Sequence, residues 1–546
     1  MDFQKLADLL YPDNAFEVEE VEKKYPKRTL APGACVTRLA PSPTGFVHLG
    51  NLFPAVTGER LAHQSGGVFF LRIEDTDQKR EVPGAVELLL KSLERYHILF
   101  DEGATAEGER GEYGPYYQRR RGEIYRAYAK RLVAQGRAYP CFCSEEQLEE
   151  MRAQQEQQRE NFGYYGRYAR CRNLSFEQIE EHLKNGDPFV LRFRCEGDPS
   201  RMDHIDDLIK GRLEFPENDM DHVLLKSDGI PTYHFAHAVD DHLMGTTHVV
   251  RGEEWLSTLP FHVQLFRALG FELPHYMHIA QLMKLDGENK RKLSKRKDPE
   301  ASLAYYYEQG FPARSVMEYL MTLLNSNFEE WRLAHPMAAL EDFAFSADKM
   351  SVSGCLFDMD KLMDVSRNTI ATMTAQEVLE QVTAWAADND EQLYRLFCDD
   401  PAYARAILSI GRGGEKPRKD IAKWSEIREY VSFFYDELYE PGRDFPENVA
   451  EEDRNAILEG FAAVYDPKED GQAWFEQVTE LSQSLGFAPK VKLYKKDPEL
   501  YKGHVGDVSM VLRVAVTGRR NSPDLCEIMR ILGRQRVIER LHAART

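Results

Sequence analysis

The chain lacks several features that would each place it in a particular class of protein. No stretch approaches the ~18 consecutive apolar residues of a membrane-spanning helix. Residues 1–27 lack the basic start and apolar core of a secretory signal, so we expect a cytoplasmic protein. Eight cysteines among 546 residues are too few for a disulfide framework, and we expect reduced thiols or metal ligands.

Basic residues are also in deficit, since 70 Lys and Arg stand against 90 Asp and Glu, a net charge of −20. Over the whole chain this balance argues against a nucleic-acid partner, because neutralising phosphates requires cations. The distribution of charge qualifies that argument. Residues 289–297 carry six basic and no acidic side chains, and residues 501–546 carry nine basic against four acidic ones. Such strips let an acidic protein bind a polyanion on one face, although each alone is most simply a solvated surface.

A β-α-β pattern follows an N-terminal extension of two short helices. Residues 34–39 predict a strand, 52–64 a helix and 68–73 a second strand, with turn residues between them. This pattern is typical of a Rossmann-like, doubly wound parallel sheet that binds nucleotides at the carboxyl end of its first strand. From about Pro312 onward the apolar spacing is almost wholly helical. We therefore predict an α/β half followed by an all-α half.

Two short segments, far apart in the sequence, predict the two halves of one ATP site. The first, His-Leu-Gly-Asn at 48–51, lies where the first strand turns into a helix. Gly50 permits close backbone approach there, and the helix N-terminus offers N–H groups to phosphate. The second is the basic loop Lys-Leu-Ser-Lys-Arg at 292–296, whose cations suit phosphoryl chemistry. Either segment alone has a simpler explanation, as a turn histidine or as a solvated loop.

From these segments we predict that His48 and Lys295 are catalytic, because both can stabilise negative charge that develops on a phosphate. The predicted ATP-binding residues are His48, Gly50, Asn51, Lys292, Ser294, Lys295 and Arg296.

The sequence around these segments resembles the class I aminoacyl-tRNA synthetases. Arg38–Asn51, R-L-A-P-S-P-T-G-F-V-H-L-G-N, is similar to their HIGH motif, and K-L-S-K-R to their KMSKS motif, in matching order and separation. Phe70–Asp77, F-L-R-I-E-D-T-D, and Pro231–Trp255, which contains P-T-Y and V-R-G-E, narrow the resemblance to the glutamyl-tRNA synthetase family. The resemblance is strong over residues 36–345 and reappears at 512–525.

The resemblance implies the residues that surround the amino acid. Glutamate carries two carboxylates and one ammonium, so its pocket needs both cations and an anion. In the family the arginine that opens the first motif contacts the side-chain carboxylate; it corresponds to Arg38, with Ser42 beside it. The anion that faces the ammonium corresponds to Glu74, and Tyr233 and Arg251 complete the pocket.

Two further features of the sequence bear on this pocket. An ion pair with a nearby acid, such as Asp75 or Glu253, is the structural alternative for either arginine. The sequence also departs from the family at His234, where asparagine commonly follows P-T-Y, and this change could alter the hydrogen bonding of the pocket.

The resemblance implies ATP-dependent ligation of L-glutamate to the 3′ end of tRNA through a glutamyl-adenylate, with Mg²⁺ required. We expect a monomer with no membrane association. The implied domains are an N-terminal extension (1–35), the first half of a Rossmann-like catalytic domain (36–117), an inserted acceptor-stem-binding subdomain (118–218), the second half of the catalytic domain (219–272), a stem-contact region with the K-L-S-K-R loop (273–350) and a helical anticodon-binding region (351–546).

Three cysteines in the predicted insertion raise the question of a metal. Some members of the family hold structural zinc through Cys-x-Cys and a later Cys-x-His. Here Cys141 and Cys143 form the first pair, but Cys171 is followed two residues later by Asn173. Because structural zinc takes four ligands and the last is missing, we predict no metal.

Other functions remain open on the sequence alone. A glutaminyl-tRNA synthetase is a close relative, but its C-terminal half is a β-barrel. A non-discriminating enzyme would also glutamylate the tRNA for glutamine. A truncated relative that modifies a tRNA base would end near residue 345, and a non-catalytic tRNA-binding paralogue would have lost residues such as His48 and Lys295.

Overall fold

The computed structural model describes residues 1–43, 45, 47–77, 81–294 and 296–545, and the chain divides into two compact units. The first unit comprises Met1–Tyr305 with Leu320–Asp358, and the second comprises Tyr306–Tyr319 with Met359–Thr546. Among the described residues, no helix combines the length and apolarity needed to cross a bilayer. The six domains drawn from the sequence, with their boundaries, remain predictions.

The strands of the first unit form several small sheets with parallel and antiparallel pairs. They are β1 (Val36–Leu39), β2 (Val68–Leu71), β3 (Glu102–Thr105), β4 (Gly108–Arg110), β5 (Ala138–Cys141), β6 (Val190–Phe193), β7 (Met202–Asp207), β8 (Gly211–Pro216), β9 (Val223–Leu225), β10 (His248–Gly252), β11 (His275–Ile279), β12 (Leu282–Asp286), β13 (Asn289–Lys292) and β14 (Cys355–Leu356). The pairs β1–β2, β2–β3, β10–β11 and β12–β14 are parallel. The pairs β3–β4, β5–β6, β6–β9, β7–β8 and β12–β13 are antiparallel.

Helices surround these sheets and make up most of the remainder of the chain. Up to residue 334 they are α1 (Phe3–Leu10), α2 (Val18–Lys24), α3 (Leu49–Gln64), α4 (Ala85–Arg95), α5 (Gly122–Ala134), α6 (Glu145–Gln158), α7 (Phe176–Lys184), α8 (Tyr233–Leu243), α9 (Leu259–Leu269), α10 (Leu303–Glu308), α11 (Ala313–Leu324) and α12 (Phe328–Ala334). Beyond residue 358 they are α13 (Met359–Thr372), α14 (Ala375–Asn389), α15 (Glu391–Asp399), α16 (Pro401–Leu408), α17 (Ile427–Val431), α18 (Glu451–Val464), α19 (Gly471–Ser484), α20 (Val491–Lys496), α21 (Val505–Thr517) and α22 (Leu525–Ala543), the last interrupted at Gly533.

Strand β1 shows how a buried strand carries polar residues to a site. All four of its residues, V-T-R-L, are buried, as in a strand covered on both faces. Buried polar groups need partners. Thr37 Oγ1 donates to the main-chain oxygen of Gly58 at 2.7 Å, while Arg38 pairs with the carboxylate of Asp241.

Helix α3 begins at Leu49, three residues before the predicted start of the helix at residue 52. The main-chain N–H of His48 donates to Asn51 Oδ1 at 3.2 Å, which caps the helix one turn earlier. A Cβ atom at Gly50 would lie only 2.8 Å from Nδ1 of His48, so glycine allows the imidazole to lie against the first turn. Gly50 and Asn51 therefore belong to the first turn of the helix, where the main-chain N–H of Asn51 donates to the main-chain oxygen of His48 at 2.8 Å.

The N-terminal helices belong to the core of the first unit. Leu6 of α1 and Val21 of α2 are buried in one apolar cluster with Tyr125 of α5 and Phe70 of β2. In the second unit the described residues from Met359 onward form helices and no strand, as the apolar spacing predicts.

Candidate active site

A cavity of about 970 Å³ lies in the first unit, beside the carboxyl ends of β1 and β10. Ten of the sequence-predicted residues line it: Arg38, Ser42, His48, Gly50, Asn51, Glu74, Tyr233, Arg251, Lys292 and Ser294. Arg296 is exposed and is not part of its lining. Lys295 lies outside the described residues.

The two segments predicted to share ATP meet at this cavity. His48 forms an isolated antiparallel bridge with Ser302, just beyond the basic loop. The main-chain N–H of Leu303 donates to the oxygen of Val47 at 3.2 Å. The fold therefore joins the chain that leaves the loop to the segment that opens α3, and residues of both line one cavity.

Asp298 organises the basic loop. Its carboxylate is 2 % exposed and accepts hydrogen bonds from Arg291 Nη1 and Nη2 at 2.6 and 2.7 Å. It also accepts the main-chain N–H of Ser294 at 2.8 Å. The hydrogen bonds from Arg291 hold the pKa of Asp298 well below its usual range. Arg291 is thus committed to the loop's own structure, whereas Lys292 is exposed at the cavity edge.

Arg38 is anchored by a shared carboxylate. Its Nε lies 3.1 Å from Oδ1 of Asp241, which also accepts Nη1 of Arg72 at 2.7 Å and lies 2.7 Å from Nδ1 of His237 through Oδ2. Thus the alternative of an ion pair holds for Arg38, but with Asp241 rather than Asp75 or Glu253. The terminal nitrogens of Arg38 make a single long contact within the described residues, 3.4 Å from a main-chain oxygen.

Glu74 is the carboxyl group at the same end of the cavity. It is 6 % exposed, and its Oε1 lies 3.3 Å from Nη2 of Arg72. Burial raises the pKa of Glu74 to about 7, although the positive charges of Arg72 and Arg38 act in the opposite direction. A carboxyl group with such a pKa is ready to ionise when a cation arrives beside it.

Arg251 and Tyr233 complete this end. Arg251 donates through Nε to Nε2 of His278 at 2.9 Å and through Nη1 to Nδ1 of His262 at 3.0 Å. The ring of Tyr233 stacks on Trp255, with centroids 4.2 Å apart. The cavity thus has two arginines and one buried carboxyl at one end, and a helix N-terminus with a basic loop at the other. That distribution suits a zwitterionic acid beside a polyphosphate.

Comparison with known families identifies the class of protein to which the chain belongs. The family described as tRNA synthetases class I (E and Q), catalytic domain, matches residues 34–363. The chain belongs to this family. A second family, the anticodon binding domain, matches residues 501–545.

Synthetases of this class resemble the chain over its full length. The glutamate–tRNA ligase of Acetivibrio thermocellus is 54 % identical over 542 residues, covering 99 % of each chain. That of Clostridium perfringens strain 13 is 47 % identical over 546 residues, covering 99 % of this chain and all of the relative. A crystal structure of a glutamate tRNA ligase from Elizabethkingia meningosepticum, in complex with its amino acid, is 27 % identical with a TM-score of 0.73, covering 93 % of this chain and 99 % of that one. The predicted glutamate–tRNA ligase family is confirmed.

The zinc that some synthetases of this family hold can be tested against the three cysteines. The sulfur atoms of Cys141, Cys143 and Cys171 all lie within 4.8 Å of one another, and those of Cys143 and Cys171 are 3.6 Å apart. The phenol oxygen of Tyr164 lies 3.4 and 3.3 Å from the sulfurs of Cys141 and Cys143. With Zn–S near 2.3 Å and Zn–O near 2.0 Å, tetrahedral zinc separates its ligand atoms by about 3.5–3.8 Å. Asn173 is exposed, whereas the phenol oxygen of Tyr164 lies beside two of the three sulfurs.

The sequence analysis did not identify the residues that hold the substrate-facing side chains and the basic loop of the synthetase site in position. They are Arg72, Asp207, His237, Asp241, His262, His278 and Asp298. Arg72, His237 and Asp241 stand inside the motifs F-L-R-I-E-D-T-D and P-T-Y-H-F-A-H-A-V-D-D, where nothing in the pattern separates a ligand-binding residue from a supporting one. The others carry no local signal.

Proposed function

We propose that this protein ligates L-glutamate to the 3′ end of tRNA in two steps at the cavity of the first unit. The observation that carries the proposal is that both ATP-side segments and the residues implied for glutamate line that one cavity. Arg38 and Arg251 bind the two carboxylates of glutamate, and Glu74 faces its ammonium. Tyr233 and Ser42 border the same space.

In the first step an oxygen of the α-carboxylate attacks the α-phosphorus of ATP. The bond from that phosphorus to the bridging oxygen breaks, and pyrophosphate leaves with the bonding electrons. His48, beside the N-terminus of α3, and Lys295 stabilise the charge that develops on the phosphate oxygens. Gly50, Asn51, Lys292 and Ser294, which line the cavity, hold the nucleotide, whereas Arg296 lies outside the lining. In the second step a ribose hydroxyl of the terminal tRNA nucleotide attacks the carbonyl of the anhydride, and AMP leaves.

Mg²⁺ would bind together with ATP, as the metal–nucleotide complex, and not at a preformed site made of protein ligands. Within the described residues, the cysteine cluster is the one group of three or more side chains that could together hold a metal ion. Its ligand atoms are sulfurs, whereas Mg²⁺ prefers oxygen ligands. When bound, the ion neutralises charge on the phosphates.

We further propose that structural zinc is held by the zinc cluster, which comprises Cys141, Cys143, Cys171 and Tyr164. Its support is that the three sulfurs lie within 4.8 Å of one another and that three donor-to-donor distances, 3.3, 3.4 and 3.6 Å, are close to those of tetrahedral zinc. The prediction that the chain holds no metal depended on a missing fourth ligand, and Tyr164 fills that position.

We also propose a domain architecture, a cellular compartment and an oligomeric state for the protein. The parallel pairs β1–β2, β2–β3 and β10–β11 support a Rossmann-like doubly wound domain with an acceptor-binding insertion at 118–218. The helices beyond residue 358 support an anticodon-binding half. None of the eight cysteines, all of which the structure describes, forms a disulfide, which supports a reducing, cytoplasmic setting. We propose a monomer, to be checked by light scattering.

Charging of purified tRNAs tests the function. With ATP and glutamate, the tRNA for glutamate should be aminoacylated, and ATP–pyrophosphate exchange should depend on glutamate in the presence of tRNA. Arg38→Ala should weaken glutamate binding, while Arg38→Lys should weaken it less. An intact, folded protein that supports no exchange contradicts the proposal. Charging of the tRNA for glutamine in parallel separates a discriminating from a non-discriminating enzyme.

A further inference from the structure

Arg251 has surroundings unlike those of the other arginine in the pocket. It is 5 % exposed, and within the described residues no carboxylate lies within 4.0 Å of it. Two imidazoles hold it instead, His278 at Nε and His262 at Nη1. By contrast, Arg38 shares the carboxylate of Asp241 directly. The charge of Arg251 is therefore not neutralised by a contacting protein anion.

These contacts fix the protonation of both imidazoles. Guanidinium groups only donate hydrogen bonds, so each ring must present a lone pair to Arg251. His278 must accept at Nε2 and carry its proton on Nδ1, and His262 must accept at Nδ1 and carry its proton on Nε2. Both rings are fully buried. Each is thus held as one neutral tautomer.

Each imidazole has a second partner that enforces its tautomer. Nδ1 of His278 donates to Oδ2 of Asp207 at 2.6 Å, and Nε2 of His262 donates to Nδ1 of His234 at 2.8 Å. Asp207 is itself 3 % exposed and accepts the main-chain N–H groups of Ile209 and Lys210 at 2.9 and 2.8 Å. Two hydrogen-bonded chains therefore converge on one guanidinium, one at Nε and the other at Nη1.

The ends of the guanidinium differ as a result. Nε and Nη1 are occupied by the imidazoles, and the ring of Tyr276 lies 4.7 Å from Cζ. Nη2 is buried and has no hydrogen-bond partner among the described residues. A buried donor without a partner is costly, and Arg251 lines the cavity, so a ligand bound there is the natural source of the missing acceptor.

We propose that Asp207, His278, His262 and His234 are positioning residues that orient Arg251 toward a carboxylate of the amino-acid substrate. The inference rests on the proposed function, because it takes that substrate as glutamate. Neutral imidazoles orient the guanidinium without competing for its charge, which a contacting carboxylate would do. His234, where the sequence departs from the family's common asparagine, is the outer end of one chain.

Asp207→Asn is the sharpest test. An amide can donate to Nδ1 of His278, which moves the ring proton to Nε2, where it opposes the N–H of Arg251. We expect KM for glutamate to rise about tenfold, with KM for ATP and kcat at saturating glutamate changed by less than about twofold. His278→Gln, whose amide oxygen can replace Nε2 as the acceptor, should cost less than His278→Leu.

The second chain is tested by His262→Asn and His234→Ala. Asparagine can offer its oxygen near the position of Nδ1, so His262→Asn should retain more glutamate affinity than His262→Phe. His234→Ala removes the partner of His262 and should raise KM for glutamate severalfold. The matched control is His275→Gln, an exposed histidine on the same strand as His278, which should behave as wild type.

Direct binding separates this inference from the proposed function. Isothermal titration of glutamate into each folded variant, with circular dichroism as the check on folding, should reproduce the order of the KM values. If Asp207→Asn and His278→Leu bind glutamate as wild type does, the positioning role is wrong while the ligase function stands. Equal losses for glutamate and ATP would also overturn it. A wild-type protein that charges no tRNA would overturn the function instead.

Discussion

Glu74 shows how one residue's environment sets the chemistry of the amino-acid end of the cavity. Burial raises its pKa to about 7, and the groups that face it are Arg72, Arg38, Asp241 and Tyr233. The neutral form of Glu74 therefore becomes populated as pH falls below about 7. A neutral carboxyl offers an ammonium no charge, so only the ionised form serves the proposed role.

Glutamate binding should consequently depend on pH. Because ionised Glu74 is required and is lost as pH falls through its pKa of about 7, KM for glutamate should rise below that pH. KM measured across about pH 5.5–8.5 should approach a tenfold increase per unit on the acidic limb. Glu74→Gln should raise KM at every pH and remove this limb. If KM for glutamate still rises below about pH 7 in Glu74→Gln, the group that titrates is not Glu74.

Lys295 lies outside the described residues, and its role rests on its place in the K-L-S-K-R loop. We expect Lys295→Ala to lower the activation rate by about 10²–10³ while leaving glutamate affinity nearly intact, because a cation that meets developing charge acts in the transition state. Single-turnover adenylate formation measures the rate. Lys297→Ala, two residues further along, is the control. An unchanged rate in Lys295→Ala would show that this lysine is not catalytic.

At the scale of elements, the zinc cluster joins segments that follow β5 and α6. Cys141 ends β5, Cys143 follows it, and Tyr164 and Cys171 lie beyond α6. The main-chain N–H of Cys171 donates to the phenol oxygen of Tyr164 at 3.0 Å, and Arg192 lies over the phenol ring, 3.9 Å from its centroid. Burial and the hydrogen bonds with Cys141 and Cys143 raise the pKa of Tyr164, so a bound zinc ion would have to displace the proton of the phenol.

Tyr164→Phe keeps the ring and removes the fourth ligand. We expect the variant to lose zinc at least about tenfold more readily to a chromogenic chelator, and its Tm to fall. Tyr165→Phe is the matched control, since the hydroxyl of Tyr165 donates to a main-chain oxygen instead. Wild-type protein that carries no zinc after purification from zinc-supplemented cells would contradict the proposal that the zinc cluster binds the metal.

At the scale of the whole molecule, a net charge of −20 must coexist with a polyanionic substrate. Basic side chains are concentrated at 289–297 and 501–546, and the second of these overlaps the anticodon binding domain at 501–545. Acidic surface elsewhere repels phosphates. Such a distribution confines tRNA to particular faces and makes its binding electrostatic.

Salt should therefore weaken tRNA binding more than it weakens binding of the small substrates. Between about 50 and 200 mM salt we expect Kd for tRNA to rise by at least tenfold, because each phosphate contact releases counterions. Fluorescence anisotropy of labelled tRNA measures Kd, and KM for glutamate in the same buffers serves as the internal control. A Kd for tRNA that is insensitive to salt would contradict binding through these strips.

Most of the local elements follow from the sequence alone, and its motifs predict the residues that contact the substrates. The strand, turn and helix around His48 follow from apolar spacing and turn residues, which are local properties. The sequence motifs also identified the family, because binding glutamate, ATP and tRNA requires particular side chains, which these motifs contain in the family's order. Even so, α3 begins three residues early, because a cap between His48 and Asn51 decides its first turn.

Tertiary packing selects the residues that support those side chains. Asp241 reaches Arg38 across 203 positions of the chain, and Asp207 reaches His278 across 71. Tyr164 meets its cysteines in the same way. Such pairs form because burial obliges polar groups to find partners, and the packing of distant elements, which no local pattern encodes, selects which partners are within reach.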